Sequence, residues 1–115
     1  IDVYKAGRVL GELLSQTPEY RAFIEALKVV NADQNIRKIS AQIRACQSVL
    51  QWGQDVIQNS AELERLEQEL ETIPSVQAYR QAEMEVRDLL RAVDEIISRE
   101  VGVDFAANAK RSCCS

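Results

Sequence analysis

The stretch PSVQAYRQAEMEVRDLLRAVDEIISREV, residues 74–101, decides the fold class of this chain. Its apolar side chains recur every three or four residues, which is the spacing of an amphipathic helix. Pro74 suits the first turn of a helix, and Gly102 is placed to end it. The apolar stripe is wide, so we expect this helix to pack against more than one neighbour. The stripe comprises Val76, Tyr79, Ala82, Val86, Leu89, Leu90, Val93, Ile96, Ile97 and Val101.

Shorter helical segments precede this helix. Residues 2–14 show helical spacing, and Thr17 followed by Pro18 predicts the cap and first position of a second helix. The next stripe changes phase after residues 31–33, which predicts either a break near Ala32, with Asp33 as a cap, or one long helix whose buried face rotates there. The stripe that follows comprises Ile36, Ile39, Ile43, Cys46 and Leu50.

Residues 51–60 form the weakest helical stretch, because Gly53 and Asn59 interrupt it. Asn59 followed by Glu62 has the spacing of a capping box, so we expect a short acidic helix to begin there. The apolar positions of that helix are Leu63, Leu66, Leu70 and Ile73.

The whole pattern predicts an all-α, antiparallel helical bundle with a long C-terminal helix. Only four glycines and two prolines occur among 115 residues, which is too few turn residues for a β-sandwich. We expect residues 1–109 to form the bundle domain and residues 110–115 to form a cysteine-bearing tail. The shorter helices cannot cover the longest one, so its end, from Ile96 to Val103, is predicted to be a dimer or partner surface.

The charge distribution argues against several classes of partner. The formal net charge is −4, and residues 60–100 carry 11 acidic and 5 basic side chains. Such a chain has no broad basic face for phosphates, so we expect no direct contact with nucleic acid. No apolar run reaches the roughly 18 residues of a membrane span, so we expect no membrane insertion. Three cysteines do not form a paired disulfide framework, which favours a cytoplasmic location.

The sequence carries few residues that do chemistry. It has no histidine, which removes Ser–His and Cys–His nucleophile systems and the commonest metal ligand. Carboxylates at Glu83 and Glu95 each precede an arginine by four residues, the spacing of solvated ion pairs on a helix. We therefore predict a protein that is not an enzyme and holds no metal on catalytic side chains.

The cysteines are of two kinds. Cys46 lies on the apolar stripe of a helix, where a free thiol packs as a small hydrophobe. Cys113 and Cys114 stand side by side in the polar tail after Lys110 and Arg111, cations that lower the pKa of a nearby thiol. Two thiolates cannot complete a four-ligand site, so these two are either spare thiols or part of a cluster site completed by a partner.

Two segments resemble a known family. TPEYRAF, at residues 17–23, and the block PSVQAYRQAEMEV…II…VGVDF, within residues 74–105, are similar to the corresponding helices of the YlbF/YmcA family. The similarity extends over nearly the whole chain and consists of helix-packing patterns rather than catalytic motifs.

The resemblance implies a function that spacing alone does not show. Members of this family are small helical cytoplasmic proteins of bacteria that associate with themselves or with related helical subunits. The best-known members act in competence, biofilm formation and sporulation. They join a complex that binds iron–sulfur clusters through cysteines and steers the membrane-anchored endoribonuclease RNase Y. For this chain, the resemblance implies a non-enzymatic adaptor with RNase Y as a candidate partner, and an iron–sulfur cluster shared between Cys113, Cys114 and partner ligands.

Two alternatives stay open from the sequence. One is an iron–sulfur or redox-sensing subunit that uses Cys113 and Cys114 as its sensor. The other is a purely structural bundle that associates with itself and has no switch.

Overall fold

A computed structural model describes residues 2–102 of the chain. It contains five α-helices and, within those residues, no strand. The helices are α1 (Val3–Ser15), α2 (Pro18–Ala32), α3 (Gln34–Gln51), α4 (Val56–Glu71) and α5 (Pro74–Val101). The predicted all-α class and the long last helix are confirmed. The boundary expected between residues 109 and 110, and residue 103 at the end of the predicted partner surface, lie outside the described residues.

The helix ends follow from local chemistry. The side chain of Asp2 caps α1 by accepting from the backbone N–H groups of Tyr4 and Lys5. Thr17 caps α2, and its Oγ1 accepts from the backbone N–H of Tyr20 at 3.3 Å. At the other end of the chain, Gly102 adopts a left-handed conformation with φ of 72° and ends α5. A residue without Cβ adopts that conformation at no steric cost.

The chain breaks between α2 and α3 rather than continuing as one helix. Asp33 has an extended backbone and serves as the C-cap of α2 and the N-cap of α3. Its Oδ1 accepts from the backbone N–H of Ile36 at 3.1 Å. The prediction of a break with Asp33 as its cap is therefore confirmed.

The expected start of α4 was wrong. The helix begins at Val56, and Asn59 lies in its first turn instead of capping it. The Asn59 side-chain amide donates to the backbone carbonyls of Gln54 and Asp55, at 3.2 and 3.1 Å, so it closes the preceding turn. Ile73, expected on the stripe of α4, instead precedes α5 as its N-cap residue.

The helices pack as two antiparallel pairs placed end to end. The first pair is α3 with α4, joined by a turn at residues 52–55, and the second is α2 with α5. The direction of the second pair follows from its contacts: Phe23 meets Tyr79, whereas Pro18, earlier on α2, shares a groove with Leu89, later on α5. A cross-section through either pair therefore cuts only two packed helices.

The shape reflects this thin construction. The principal dimensions are 57 × 37 × 21 Å, and the radius of gyration is 19.1 Å. A compact domain of this length has a radius of gyration of about 13 Å. The core is correspondingly small and lies on both sides of the breaks at Asp33 and Ile73. Its buried apolar residues are Ile36, Ile39, Leu66, Val76 and Ala82.

Candidate protein-contact surfaces

The grooves described between residues 2 and 102 are open to solvent. One groove runs between α2 and α5, has a volume of ≈630 Å³ and is bordered by the carboxylates of Glu19, Glu85 and Asp88. Within the described part of the chain, no group of three or more Asp, Glu, Cys or His side chains is placed to hold a metal ion.

The charged side chains form pairs on the surface instead. Arg65 donates from Nη2 to Glu62 at 2.6 Å and from Nη1 to Glu69 at 3.2 Å, along one face of α4. The hydrogen bond from Arg65 lowers the pKa of Glu62, and the pKa of Arg65 is raised in return. Across the bend between α4 and α5, Arg80 pairs with Glu71 at 2.9 Å.

The ion pair expected between Glu83 and Arg87 is present on α5, with a distance of 3.3 Å. The second expected pair, Glu95 with Arg99, does not come within 4.0 Å among the described residues. Such exposed pairs contribute a few tenths of a kcal/mol each to stability. We therefore interpret them as ordinary surface ion pairs rather than as parts of a binding site.

Of the three cysteines, the structure describes only Cys46. Cys46 is a free, half-buried thiol on α3, which fits its expected role as a small apolar side chain. Cys113 and Cys114 lie outside the described residues, so their assignment as cluster ligands stays a prediction.

The turn between α3 and α4 carries the first of three exposed apolar surfaces. We call it the tip; it consists of Trp52, Val56 and Ile57. Trp52 is 78% exposed and Ile57 is 89% exposed, although both are among the most apolar residues of the chain. Gly53 and Asp55 have positive φ values of 72° and 43°, which turn the backbone sharply between the two helices. Tryptophan is enriched among the residues that dominate protein–protein contacts, so this apolar patch is a candidate docking surface.

The second surface is one side of α1, which we call the α1 face. None of the residues of α1 is buried, and the helix contacts only α2 among the described helices. The α1 face consists of Val3, Val9, Leu10 and Leu13, all exposed.

The third surface is the free end of α5, which we call the α5 face. It consists of Leu90, Ile96, Ile97 and Val101, all exposed. The prediction that shorter helices would leave this end uncovered is confirmed over residues 96–102, because α2 begins level with Leu89. The sequence did not reveal the other two surfaces. The tip could have been recognised from the presence of Trp52, Val56 and Ile57 within residues 51–60, the stretch with the weakest helical pattern.

No helix among the described residues combines the length and apolar composition needed to cross a bilayer. The fold and its surfaces define a class: a thin all-helical protein whose conspicuous exposed features are apolar surfaces rather than a polar pocket. The profile of the family described as control of competence regulator ComK, YlbF/YmcA, matches residues 3–102. The chain belongs to this regulatory family.

Two relatives agree with that assignment. The chain is 32% identical to the uncharacterized protein YmcA of Bacillus subtilis (strain 168) over 106 residues, which are 87% of this chain and 74% of the relative. It is 27% identical to the UPF0342 protein DSY2926 of Desulfitobacterium hafniense (strain Y51) over 106 residues, 88% of this chain and 86% of the relative.

Proposed function

We propose that this protein is a non-enzymatic cytoplasmic adaptor that regulates by binding other proteins. The observation that carries the proposal is the tip, where Trp52 and Ile57 are largely exposed to water at the turn that joins α3 to α4. Keeping such side chains exposed forfeits about 1.5–3 kcal/mol of burial for each, which a partner surface recovers on binding. Membership of a family described by control of a competence regulator supports a regulatory role.

The chemistry around the tip favours a protein as its partner. Between Arg44 and Arg65 the chain has no basic side chain, so the tip offers nothing to phosphates or to anionic lipid headgroups. Most of the polar side chains beside it are uncharged, including Gln51, Gln54 and Gln58. An apolar pocket on another protein therefore suits the tip best.

The partner that we propose is RNase Y, or a related helical subunit that acts on it. This choice rests on the family resemblance. The adaptor supplies no nuclease chemistry; it alters which messenger RNAs the nuclease processes.

The experiment is a binding and complementation test of the tip. A double variant, Trp52→Ala with Ile57→Ala, is compared with a control from the same turn, Gln51→Ala with Gln58→Ala. In a pull-down from the native cytoplasm under anaerobic conditions, the control should recover RNase Y or related subunits and the tip variant should not. In a strain lacking the gene, only the control should restore RNase Y-dependent processing. Equal recovery and equal complementation by both variants would refute the role of the tip.

The tail cysteines motivate a second candidate, an iron–sulfur or redox-sensing subunit that uses Cys113 and Cys114 with ligands from a partner. Anaerobic purification with the natural partners, followed by absorbance and iron analysis, tests it. A colourless complex, together with unchanged function in the Cys113→Ser, Cys114→Ser variant, would rule it out. If the partner binding and the cluster are both absent, the third alternative is left, a purely structural bundle that associates with itself.

A further inference from the structure

We propose that the stretch that follows α5, residues 103–111, docks back on α5 within the same chain. We call this stretch the return segment. Its apolar side chains cover the α5 face, and its two cations, Lys110 and Arg111, pair with the carboxylates of the groove between α2 and α5. The contact is an internal cover, which a partner must displace before it can use the α5 face. This inference goes beyond the proposed function, which is carried by the tip.

The surface that receives the segment is continuous along α5. Glu85, Leu89 and Ile96 follow one another at spacings of four and seven residues, which places them along one side of the helix. Glu85 and Leu89 line the groove between α2 and α5, whereas Ile96 belongs to the exposed α5 face. One side of α5 therefore offers apolar side chains near its end and a carboxylate further back.

The groove has negative charge available for a cation. Within residues 2–102, neither Glu19 nor Glu85 has a cation within 4.0 Å. The Glu85 carboxylate accepts from the side-chain amide of Gln81 at 3.3 Å. Asp88 lies 3.7 Å from Arg91, and both side chains are exposed, so that pair is weak. Two further cations can therefore be accommodated at the groove.

The return segment carries its side chains in the matching order. It reads VDFAANAKR, so Val103 and Phe105 come first, residues 106–109 are uncharged, and the two cations come last. Its one acidic residue, Asp104, lies close to Arg99, which has no carboxylate within 4.0 Å in the described part of the chain. A segment that is apolar first and basic last complements a surface that is apolar first and acidic last.

The segment is long enough to bring its cations to the groove. Glu85 and Asp88 lie 17 and 14 residues before Gly102, which is about 26 and 21 Å along the helix at 1.5 Å per residue. Extended chain advances about 3.3 Å per residue, so Lys110 and Arg111, eight and nine residues after Gly102, have a reach of about 26 and 30 Å. The cations therefore come level with the carboxylates after an almost extended return.

The same scale places the apolar part of the segment on the α5 face. Phe105 stands three residues after Gly102, which is about 10 Å of extended chain. Ile96 stands six residues before Gly102, which is about 9 Å of helix. Gly102 has a φ of 72°, and its backbone N–H donates to the carbonyl of Ser98, so the chain leaves the helix axis there. A return that begins at Gly102 therefore starts beside the exposed apolar side chains.

The covalent connection favours this segment over a separate basic peptide. A short tether gives its two ends an effective concentration that is roughly millimolar, and the entropy cost of closing such a loop grows only slowly with length. A free peptide that made the same contacts would have to be present at that concentration to compete. Only a partner with additional contacts displaces the segment efficiently.

The first experiment measures how close the segment lies to the groove in the full-length chain. The variant Cys46→Ala with Cys114→Ser leaves one thiol, Cys113, two residues beyond the segment, and this thiol carries a nitroxide label. In NMR spectra of the chain labelled with nitrogen-15, the nitroxide should broaden the amide signals of Glu19 and Ala22. A sample in which the nitroxide and the nitrogen-15 are on different chains should show no such broadening.

Two double variants form a matched pair for this measurement. Lys110→Gln with Arg111→Gln removes two exposed ion pairs, so the equilibrium between docked and undocked segment should fall by about 2- to 30-fold, and the broadening with it. Lys5→Gln with Arg8→Gln makes the same charge change on α1 and should leave the broadening unchanged. High salt should act like the first variant, because it screens exposed pairs.

A second measurement tests the apolar part of the contact. In full-length chains whose three native cysteines are replaced, the reaction of Ile97→Cys with iodoacetamide reports on the cover of the α5 face. Phe105→Ser should speed that reaction by about 3- to 30-fold, because it removes apolar surface from the contact. The reaction of Leu10→Cys, on the α1 face, should be unchanged by Phe105→Ser. Circular dichroism would confirm that all variants keep their helices.

Four results would overturn the proposal. They are an absence of broadening at Glu19 and Ala22, equal broadening in the two glutamine variants, broadening only between different chains, and a reaction of Ile97→Cys that Phe105→Ser leaves unchanged. Broadening only between different chains would mean that the segment docks on a second copy. None of these results bears on the tip test, so the adaptor function and the internal cover can fail separately.

Discussion

The rings of Phe23 and Tyr79 lie 5.5 Å apart, centroid to centroid, and are inclined by 30°. This contact joins α2 to α5, the second of the two antiparallel helix pairs. Arg80 lies 5.8 Å from the centre of the Tyr79 ring and adds a cation to the same cluster. Partial burial, and then the carboxylate of Glu83, raise the pKa of Tyr79, so its ring stays neutral at physiological pH.

We expect Phe23→Ala and Tyr79→Ala each to lower the free energy of unfolding by about 1–3 kcal/mol, less than for fully buried aromatics because both rings are half-buried. A double-mutant cycle measured by urea denaturation should give a coupling of about 0.5–1.5 kcal/mol. Tyr79→Phe keeps the ring and should change stability little. A coupling close to zero would mean that the two rings stabilise their helices independently.

Leu66 is 1% exposed, the most deeply buried large side chain among the described residues. We expect Leu66→Ala to cost about 2–5 kcal/mol, because it removes buried methyl groups and leaves a cavity in a very small core. Ile57→Ala, at the exposed tip, should change stability by less than about 0.5 kcal/mol. Thermal and urea unfolding of both variants test this contrast, and similar losses in the two would contradict the assignment of the core.

Asp33 caps α3 through the backbone N–H of Ile36. Asp33→Ala should lower the free energy of unfolding by about 1 kcal/mol, whereas Asp33→Asn retains an accepting oxygen and should be nearly neutral. Chemical denaturation compares the three proteins. Equal destabilisation by alanine and asparagine would show that charge, rather than capping, is what matters at the break.

The hydrogen bond from Arg65 lowers the pKa of Glu62, and the charge of Arg65 acts in the same direction. Folding therefore favours the ionised carboxylate. Its contribution to stability is present above the ordinary pKa of glutamate and is lost as the pH falls through the lowered value. In a carbon-13 NMR titration, Arg65→Gln should move the Glu62 midpoint upward, and Arg87→Gln should leave it in place. An unmoved midpoint in Arg65→Gln would contradict the pairing.

Trp52 is the single tryptophan of the chain, and it reports on the tip. Its emission should resemble that of indole in water and should be quenched readily by iodide, because the side chain is exposed. Binding of the partner should shift it to shorter wavelength. Emission typical of buried indole in the protein alone would contradict the exposure of the tip.

The sequence predicted α5 almost to the residue because its two ends are fixed by backbone chemistry. Pro74 has a fixed φ at the first helical position, and Gly102 takes up the left-handed conformation that ends the helix. The start of α4 was less predictable, because an asparagine side chain can either cap a helix or hydrogen-bond to the turn before it. In the structure, Asn59 donates to the carbonyls of that turn, at Gln54 and Asp55.

The surfaces were harder to predict than the helices. Periodicity shows that Val3 and Leu10 share a side of α1, but it does not show whether a partner helix lies against them. Whether a helix of the same chain covers them depends on the direction of the turn at Gln16 and Thr17. Two backbone hydrogen bonds hold that turn, and backbone hydrogen bonds cannot be read from the pattern of apolar residues. The uncovered end of α5 was predictable, because it followed from comparing helix lengths alone.

The end-to-end arrangement of the two helix pairs separates the tip from the opposite end of the molecule, whose longest dimension is 57 Å. A contact made at the tip would therefore leave the free end of α5 accessible, so the two surfaces can be engaged at the same time. Two weak contacts on one molecule can together exceed either affinity by about 10²–10⁴ when a single target offers both sites at the matching spacing.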